Sequence, residues 1–120
     1  MVFRIKINFF NVLFYKIIFV LFTNLSFSQN SENYFKKGND FYNNAQFEKA
    51  LDSYFKVLNE NYHSAELYFN IGNSYYKLDS IAHSIFYFEK AKKMSPMDQD
   101  ILNNLGYAEN MKIDLIEKLP

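Results

Sequence analysis

The chain has 120 residues, a formal net charge of +0 at pH 7 and no cysteine. Its length fits one domain, and its charge balance lacks the clustered excess of Lys and Arg that a nucleic-acid-binding surface requires. The absence of cysteine excludes disulfides, thiolate nucleophiles and cysteine-ligated zinc, while 14 Phe, 10 Tyr and only three Gly indicate helices joined by short connections.

The first segment has the order of a secretory signal. Arg4 and Lys6 precede an apolar stretch, and Ser26 and Ser28 place small side chains where a signal peptidase accepts them. We therefore predict a signal peptide over residues 1–28 and an exported protein.

Two other interpretations of this segment stay open. Residues 7–27 are long enough to cross roughly 30 Å of hydrocarbon as a membrane tether, although Asn8, Asn11 and Lys16 weaken that interpretation. A buried N-terminal helix of the folded domain is the third possibility, and it would require Lys16 to be paired inside a core.

The three glycines mark an internal repeat. Gly38, Gly72 and Gly106 follow one another at intervals of 34 residues, and Tyr34 and Tyr68 each stand four residues before a glycine. Apolar residues between the glycines have helical spacing, so each unit is predicted to be a pair of helices.

Capping and helix-breaking residues predict the ends of these helices. The first leading helix is expected to carry Ala45 on the same face as Gly38. The other boundaries are turns at 43–44 and 78–80, N-caps at Ser31 and Ser64, an end at Ser95-Pro96 and a new start near Asp98.

The glycines are predicted to lie where helices cross closely. Glycine inside a helix costs about 1 kcal/mol relative to alanine, so each one implies a compensating gain in packing. We expect Gly38 to face Ala50 and Gly72 to face Ser84, because two small residues let the helix axes approach.

This pattern resembles the tetratricopeptide repeat family. The resemblance covers residues 31 to about 110 and implies an all-α domain, 31–120, after the hydrophobic N-terminal helix. Its parts would be repeats at 31–64 and 65–98 and a capping helix at 99–118. The positions that carry the resemblance are Tyr34, Gly38, Phe41, Ala50, Tyr54, Tyr68, Gly72, Tyr75, Ser84, Phe88, Ala91, Pro96 and Gly106.

A narrower resemblance comes from the run 62–68 and the ending 110–120, which are similar to BatE-like proteins of the Bacteroides aerotolerance group. It implies a protein of the periplasm or the periplasmic face of the inner membrane. Its partners would be a MoxR-type ATPase and von Willebrand factor A-type membrane proteins, with a role in envelope complex assembly or oxidative-stress tolerance. The alternative function is the extracytoplasmic sensory part of a transmembrane signalling regulator.

The family resemblance also implies a concave groove, lined by the leading helices, that binds a protein or peptide partner. The residues expected to face it are Glu32, Phe35, Asn39, Tyr42, Asn43, Glu66, Phe69, Asn73, Tyr76, Lys77, Asn103 and Tyr107. Asn39 and Asn73 can bond an extended peptide backbone, whereas Phe35 and Phe69 either contact the partner or pack between helices. A clamp for a C-terminal carboxylate is rejected, because the positions for its cations hold Phe35, Asp100 and Asn104.

An enzyme is the weakest interpretation. The only histidines, His63 and His83, lack the spacing of a metal site and have no cysteine to accompany them. We predict no catalytic residue, cofactor or metal. Because repeat units cannot bury their faces alone, we also expect a marginally stable monomer that stacks with another copy or with a partner through the exposed end.

Overall fold

A computed structural model describes residues 8–119, except for the side chains of residues 22–28. Arg4 and Lys6, and with them the start of the predicted signal peptide, lie outside the described residues. Within the described part the chain forms helices and no strand, which confirms the prediction of an all-α fold. The helices are α1 (Phe9–Asn43), α2 (Phe47–Asn59), α3 (Ala65–Lys77), α4 (Ile81–Met94) and α5 (Gln99–Glu117).

The helices pack in chain order. The closest packing joins α1 to α2 and α3 to α4, and α5 then packs against α4. Smaller contacts of α1 with α3 and of α3 with α5 place the three leading helices side by side. This is the arrangement that stacked helix pairs produce.

The first helix is longer than predicted. It runs without a break from Phe9 to Asn43, and Ser31 is buried inside it. The predicted N-cap at Ser31 is therefore wrong, because neither glycine nor proline interrupts residues 9–37 and the helix simply continues.

The apolar start of α1 projects from the rest of the protein. Phe9 is 80% exposed, Phe10 82% and Phe19 71%, so this segment does not fit the interpretation as a buried core helix. In the part of the chain that the structure describes, no helix has both the length and the apolar character needed to cross a membrane.

The turn after α1 corrects a second detail. Ala45 lies outside the helix with a φ of 56°, and Asp79 has the same φ in the turn between α3 and α4. In both turns a backbone hydrogen bond of 2.9 Å closes the helix end, from the N–H of Gln46 to the carbonyl of Phe41 and from Ser80 to Tyr75. Ala45 is thus a C-terminal turn residue, and the prediction that it shares a face with Gly38 is wrong.

The later helix boundaries agree with the sequence. Ser64 caps α3, since its hydroxyl oxygen accepts a 3.0 Å hydrogen bond from the N–H of Leu67. Asp98 caps α5 in the same way, since its Oδ1 accepts a 3.2 Å hydrogen bond from the N–H of Ile101. The second helix pair ends at Ser95, the residue before Pro96, which confirms the predicted end.

The core lies between the helices of each pair and between neighbouring pairs. Its largest cluster joins buried residues of α2, α3, α4 and α5, namely Ala50, Leu51, Tyr54, Val57, Leu67, Tyr68, Ile71, Ala91 and Ile101. A smaller cluster of Phe88, Leu105 and Ala108 joins α4 to α5. Among the remaining repeat positions, Gly38, Gly72 and Ser84 are buried, Tyr34, Phe41, Tyr75 and Gly106 are half-buried, and Pro96 is exposed.

Aromatic rings lie against the first two glycines. A Cβ added at Gly72 would stand 2.6 Å from Cδ1 of Phe88, and one added at Gly38 would stand 2.6 Å from Cδ1 of Tyr54. The three nearest atoms to each added Cβ belong to these rings, and the facing of Gly38 to Ala50 and of Gly72 to Ser84 stays a prediction. The space that a glycine side chain would fill is occupied by an aromatic ring. That ring belongs to the residue one helical turn after each small residue, Tyr54 after Ala50 and Phe88 after Ser84.

Gly106 differs from the other two glycines. Apart from its chain neighbours and the nearby backbone of α5, no atom of the described residues lies within 4 Å of a Cβ added there. The packing gain predicted for this glycine is therefore absent from the described residues.

Candidate functional site

Two pockets open on the side-by-side leading helices. The first, here called the acidic pocket, has a volume of about 300 Å³ and is lined by Ser31, Glu32, Phe35, Tyr62, Ser64 and Glu66. The second, here called the tyrosine pocket, has a volume of about 250 Å³ and is lined by Tyr42, Asn73, Tyr76, Lys77, Phe88, Asn104 and Tyr107.

Most of the predicted groove residues line one of these pockets. Glu32, Phe35 and Glu66 lie in the acidic pocket, and the tyrosine pocket holds Tyr42, Asn73, Tyr76, Lys77 and Tyr107. The other four predicted residues line neither pocket: Asn39, Asn43, Phe69 and Asn103. Of these, Asn43 is the last residue of α1, and Asn103 accepts a 3.0 Å hydrogen bond from Gln99 on the exposed side of α5.

The predicted asparagines join neighbouring leading helices. Nδ2 of Asn70 donates to Oδ1 of Asn39 at 3.1 Å, and Nδ2 of Asn104 donates to Oδ1 of Asn73 at 2.8 Å. Among the described residues, Nδ2 of Asn39 and of Asn73 donates no hydrogen bond. Each amide therefore has a structural oxygen and a nitrogen that a partner can reach, and its role in peptide binding stays a prediction.

The two repeats differ at one aromatic position beside the site, which is Tyr54 in the first repeat and Phe88 in the second. The hydroxyl of Tyr54 donates a 2.7 Å hydrogen bond to Oδ1 of Asn39, and burial is the main cause that raises the pKa of Tyr54, so the hydroxyl keeps its proton. Phe88 occupies the equivalent position in the second repeat and has no hydroxyl. Among the described residues, the side chain of Asn73 consequently accepts a hydrogen bond from Asn104 alone, and the Phe88 ring lies in the wall of the tyrosine pocket.

The predicted phenylalanines pack within their own helix pairs. The Phe35 ring lies 5.9 Å from that of Tyr54, and the Phe69 ring lies 5.8 Å from that of Phe88. Both are half-buried, but only Phe35 also lines a pocket. Phe69 thus packs between helices, as one of its two interpretations states. Phe35 also packs against a neighbouring helix, but it remains open to a partner in the acidic pocket.

Several pocket residues were missed from the sequence. Tyr62 lies in the connection between α2 and α3, and Phe88 is predicted from the sequence only as a repeat position. Asn104 carries a signal that could have identified it, because Asn70 and Asn104 lie at the repeat interval of 34 residues. A polar residue that recurs at the repeat interval occupies the equivalent position in successive repeats, just as a recurring glycine does.

Both histidines are exposed, His63 in the connection between α2 and α3 and His83 on α4. Nδ1 of His63 shares a 2.7 Å hydrogen bond with the hydroxyl of Tyr68, and Nδ1 of His83 shares one of 2.9 Å with the hydroxyl of Ser80. Among residues 8–119, no group of three or more His, Cys, Asp or Glu side chains could hold a metal ion.

Comparison with known proteins bears on the second helix pair. Residues 65–97 match the family model described as Tetratricopeptide repeat, and these residues contain α3, α4 and the turn that follows. No curated protein matches the chain. The family match and the paired helices support a tetratricopeptide-repeat protein, a class whose members are typically non-enzymatic scaffolds and generally mediate protein–protein interactions.

Proposed function

We propose that the chain is an exported scaffold that binds a segment of a partner protein across its leading helices. The observation that carries this proposal is the pair of pockets between α1, α3 and α5. Each pocket combines aromatic walls with polar groups that a peptide can reach. Extended peptides are recognised through such a combination of side-chain pockets and amide hydrogen bonds.

We also propose that the mature protein begins at Gln29, in the periplasm or on the periplasmic face of the inner membrane. Cleavage after Ser28 would remove the exposed apolar side chains at the start of α1, including Phe9 and Phe10. The part of α1 from Gln29 onward would remain with α2, as would the pair α3/α4. We propose these as the repeats at 31–64 and 65–98, followed by a capping helix at 99–118. The intact mass of the natively expressed protein tests this, and retention of residues 1–28 would overturn it.

Within the envelope, we propose a role of the BatE-like kind. The chain would help to assemble a complex that contains a MoxR-type ATPase and von Willebrand factor A-type membrane proteins, and would contribute to oxidative-stress tolerance. The support for this role is the sequence similarity at 62–68 and 110–120.

Photo-crosslinking in the native cells tests the scaffold proposal. Benzoylphenylalanine is placed at Tyr107, which is 62% exposed in the tyrosine pocket, or at Phe86 as the control. Phe86 is 54% exposed on α4 and lines neither pocket. We expect a discrete crosslinked partner from position 107 only. Equal crosslinking from position 86, or none from position 107, would overturn the proposal.

The variant pair Asn39→Ala and Asn73→Ala is a poor test of the same proposal. Both side-chain oxygens accept hydrogen bonds from the next leading helix, so their removal also loosens the stack. Loss of binding in that variant could therefore result either from lost contacts with the partner or from a loosened stack.

A further inference from the structure

We propose that the partner segment carries opposite charges at its two contact points, with a basic side chain in the acidic pocket and a carboxylate at the tyrosine pocket. This inference rests on the proposed function and specifies the chemistry of the partner. It follows from the difference in charge between the two pockets and from their separation along the leading helices.

The acidic pocket fits a lysine or arginine side chain. Carboxylates enter its lining from two helices, Glu32 on α1 and Glu66 on α3, and no Lys or Arg is part of that lining. Lys36 follows Glu32 by one turn, and both line a neighbouring pocket, but Lys36 is not part of the acidic pocket. Among the described residues neither carboxylate forms an ion pair. The rings of Phe35 and Tyr62 supply apolar surface for the methylene stem of a basic side chain and favour its cationic end.

The tyrosine pocket has the opposite character. Lys77 supplies a cation, no Asp or Glu is part of the lining, and Nδ2 of Asn73 has no acceptor among the described residues. Burial raises the pKa of Tyr42, so its hydroxyl stays protonated as a donor. A carboxylate can accept hydrogen bonds from all of these groups, and bonds to a charged acceptor are stronger than those to a neutral one.

The distance between the pockets sets the spacing of the two charges. Along α1 the pockets are separated by the seven residues from Phe35 to Tyr42, and along α3 by the eleven from Glu66 to Lys77. At about 1.5 Å per helical residue these separations are roughly 10 and 16 Å. An extended chain advances about 3.3 Å per residue, so the basic and acidic residues of the partner lie roughly three to five positions apart.

A purely structural explanation exists for part of this pattern. Glu66 lies in the first turn of α3 and Lys77 in the last, where each complements the helix dipole. Glu48 has the same place in α2, and Lys93 lies in the last turn of α4 as Lys77 does in α3. Neither Glu48 nor Lys93 lines the acidic or the tyrosine pocket, so these two residues provide matched controls for the dipole effect.

Selection from a peptide library tests the inference. The full chain is used to select from random peptides about 12 residues long, which cover both pockets at roughly 3.3 Å per residue. The same selection is made with Glu32→Gln plus Glu66→Gln, with Lys77→Gln, and with the controls Glu48→Gln and Lys93→Gln. Circular dichroism of each variant checks that the helices are retained.

We expect the unaltered chain and both controls to enrich peptides that contain one basic and one acidic residue at the stated spacing. The glutamate variant should lose the basic preference and keep the acidic one, and Lys77→Gln should do the reverse. A misfolded variant would lose both preferences together, so the split readout distinguishes binding from folding.

Two results would overturn the inference. Enrichment without paired charges, or with a preference that the pocket variants leave unchanged, would refute the charge pattern while the scaffold function stood. Absence of any enrichment from the unaltered chain would count against the inference and against peptide binding by the leading helices alike.

Discussion

At the scale of single residues, the repeating contact is an aromatic ring on a glycine. Phe88 and Tyr54 each lie so close to a glycine of the leading helix that an added Cβ would overlap the ring. The glycines were found from their spacing alone. The ring partners were not, because the direction of a trailing-helix side chain depends on how the two helices cross.

Alanine substitutions at two of the glycines should have opposite effects. We expect Gly72→Ala to lower the free energy of unfolding by about 1–2 kcal/mol, since overpacking of the Phe88 ring outweighs the gain in helix propensity. Gly106→Ala should raise it by up to about 1 kcal/mol, because nothing described lies within 4 Å of the new Cβ apart from its chain neighbours and the nearby backbone of α5. Urea unfolding measures both, and stabilisation by Gly72→Ala would contradict the ring contact.

Two fully buried serines provide a second comparison. Among the described residues, the hydroxyl of Ser84 has no hydrogen-bond partner, whereas that of Ser74 donates to the carbonyl of Asn70 at 2.9 Å. We expect Ser84→Ala to raise the free energy of unfolding by about 1 kcal/mol, because it removes an unsatisfied buried group. Ser74→Ala should change it by less. Equal stabilisation by the two substitutions, measured by urea unfolding, would show that hydrogen bonding is not the cause.

At the scale of helices, local signals predicted some boundaries and missed others. Ser64 and Asp98 follow turn residues and accept backbone hydrogen bonds as caps, so their sequence context was sufficient. Ser31 has the same residue type but lies inside a segment without a helix breaker, and α1 runs through it. A capping residue identifies a helix start only where the preceding residues favour leaving the helix.

The caps of α4 and α5 should differ in strength. Asp98 accepts hydrogen bonds from two backbone N–H groups, while Ser80, at the N-cap of α4, makes no side-chain cap bond. We expect Asp98→Ala to lower the free energy of unfolding by about 1 kcal/mol, and Ser80→Ala to lower it by less. Chemical unfolding of the two variants is the measurement, and a larger loss from Ser80→Ala would contradict the assignment of the caps.

At the scale of the whole molecule, periodicity predicted the stack of helix pairs, and the family resemblance supplied the residues proposed for its leading face. The 34-residue interval predicted helix pairs, and eight of the twelve proposed groove residues line a pocket. The tie between Asn73 and Asn104 and the missing hydroxyl at Phe88 could not be deduced from one repeat. Both features depend on how neighbouring repeats contact each other. Periodicity predicts that this contact exists but does not predict which atoms form it.

Self-association through the end of the stack stays a prediction. Ile113 is 53% exposed, Leu115 52% and Ile116 58%, all on the last turns of α5. If copies cover this surface, the melting temperature should rise with protein concentration, and Leu115→Lys should weaken that dependence. Lys112→Gln, which removes a charge from the same helix, is the control. Scanning calorimetry at several concentrations measures the effect, and a melting temperature independent of concentration would contradict it.

The central claim, that the face of α1, α3 and α5 binds an extended protein segment, is tested most directly by nuclear magnetic resonance. Isotope-labelled protein is titrated with an enriched peptide while the backbone amide shifts are followed. We predict that the largest shifts fall around Phe35, Asn73 and Tyr107, in the three leading helices. Shifts confined to α2 and α4 would contradict the account.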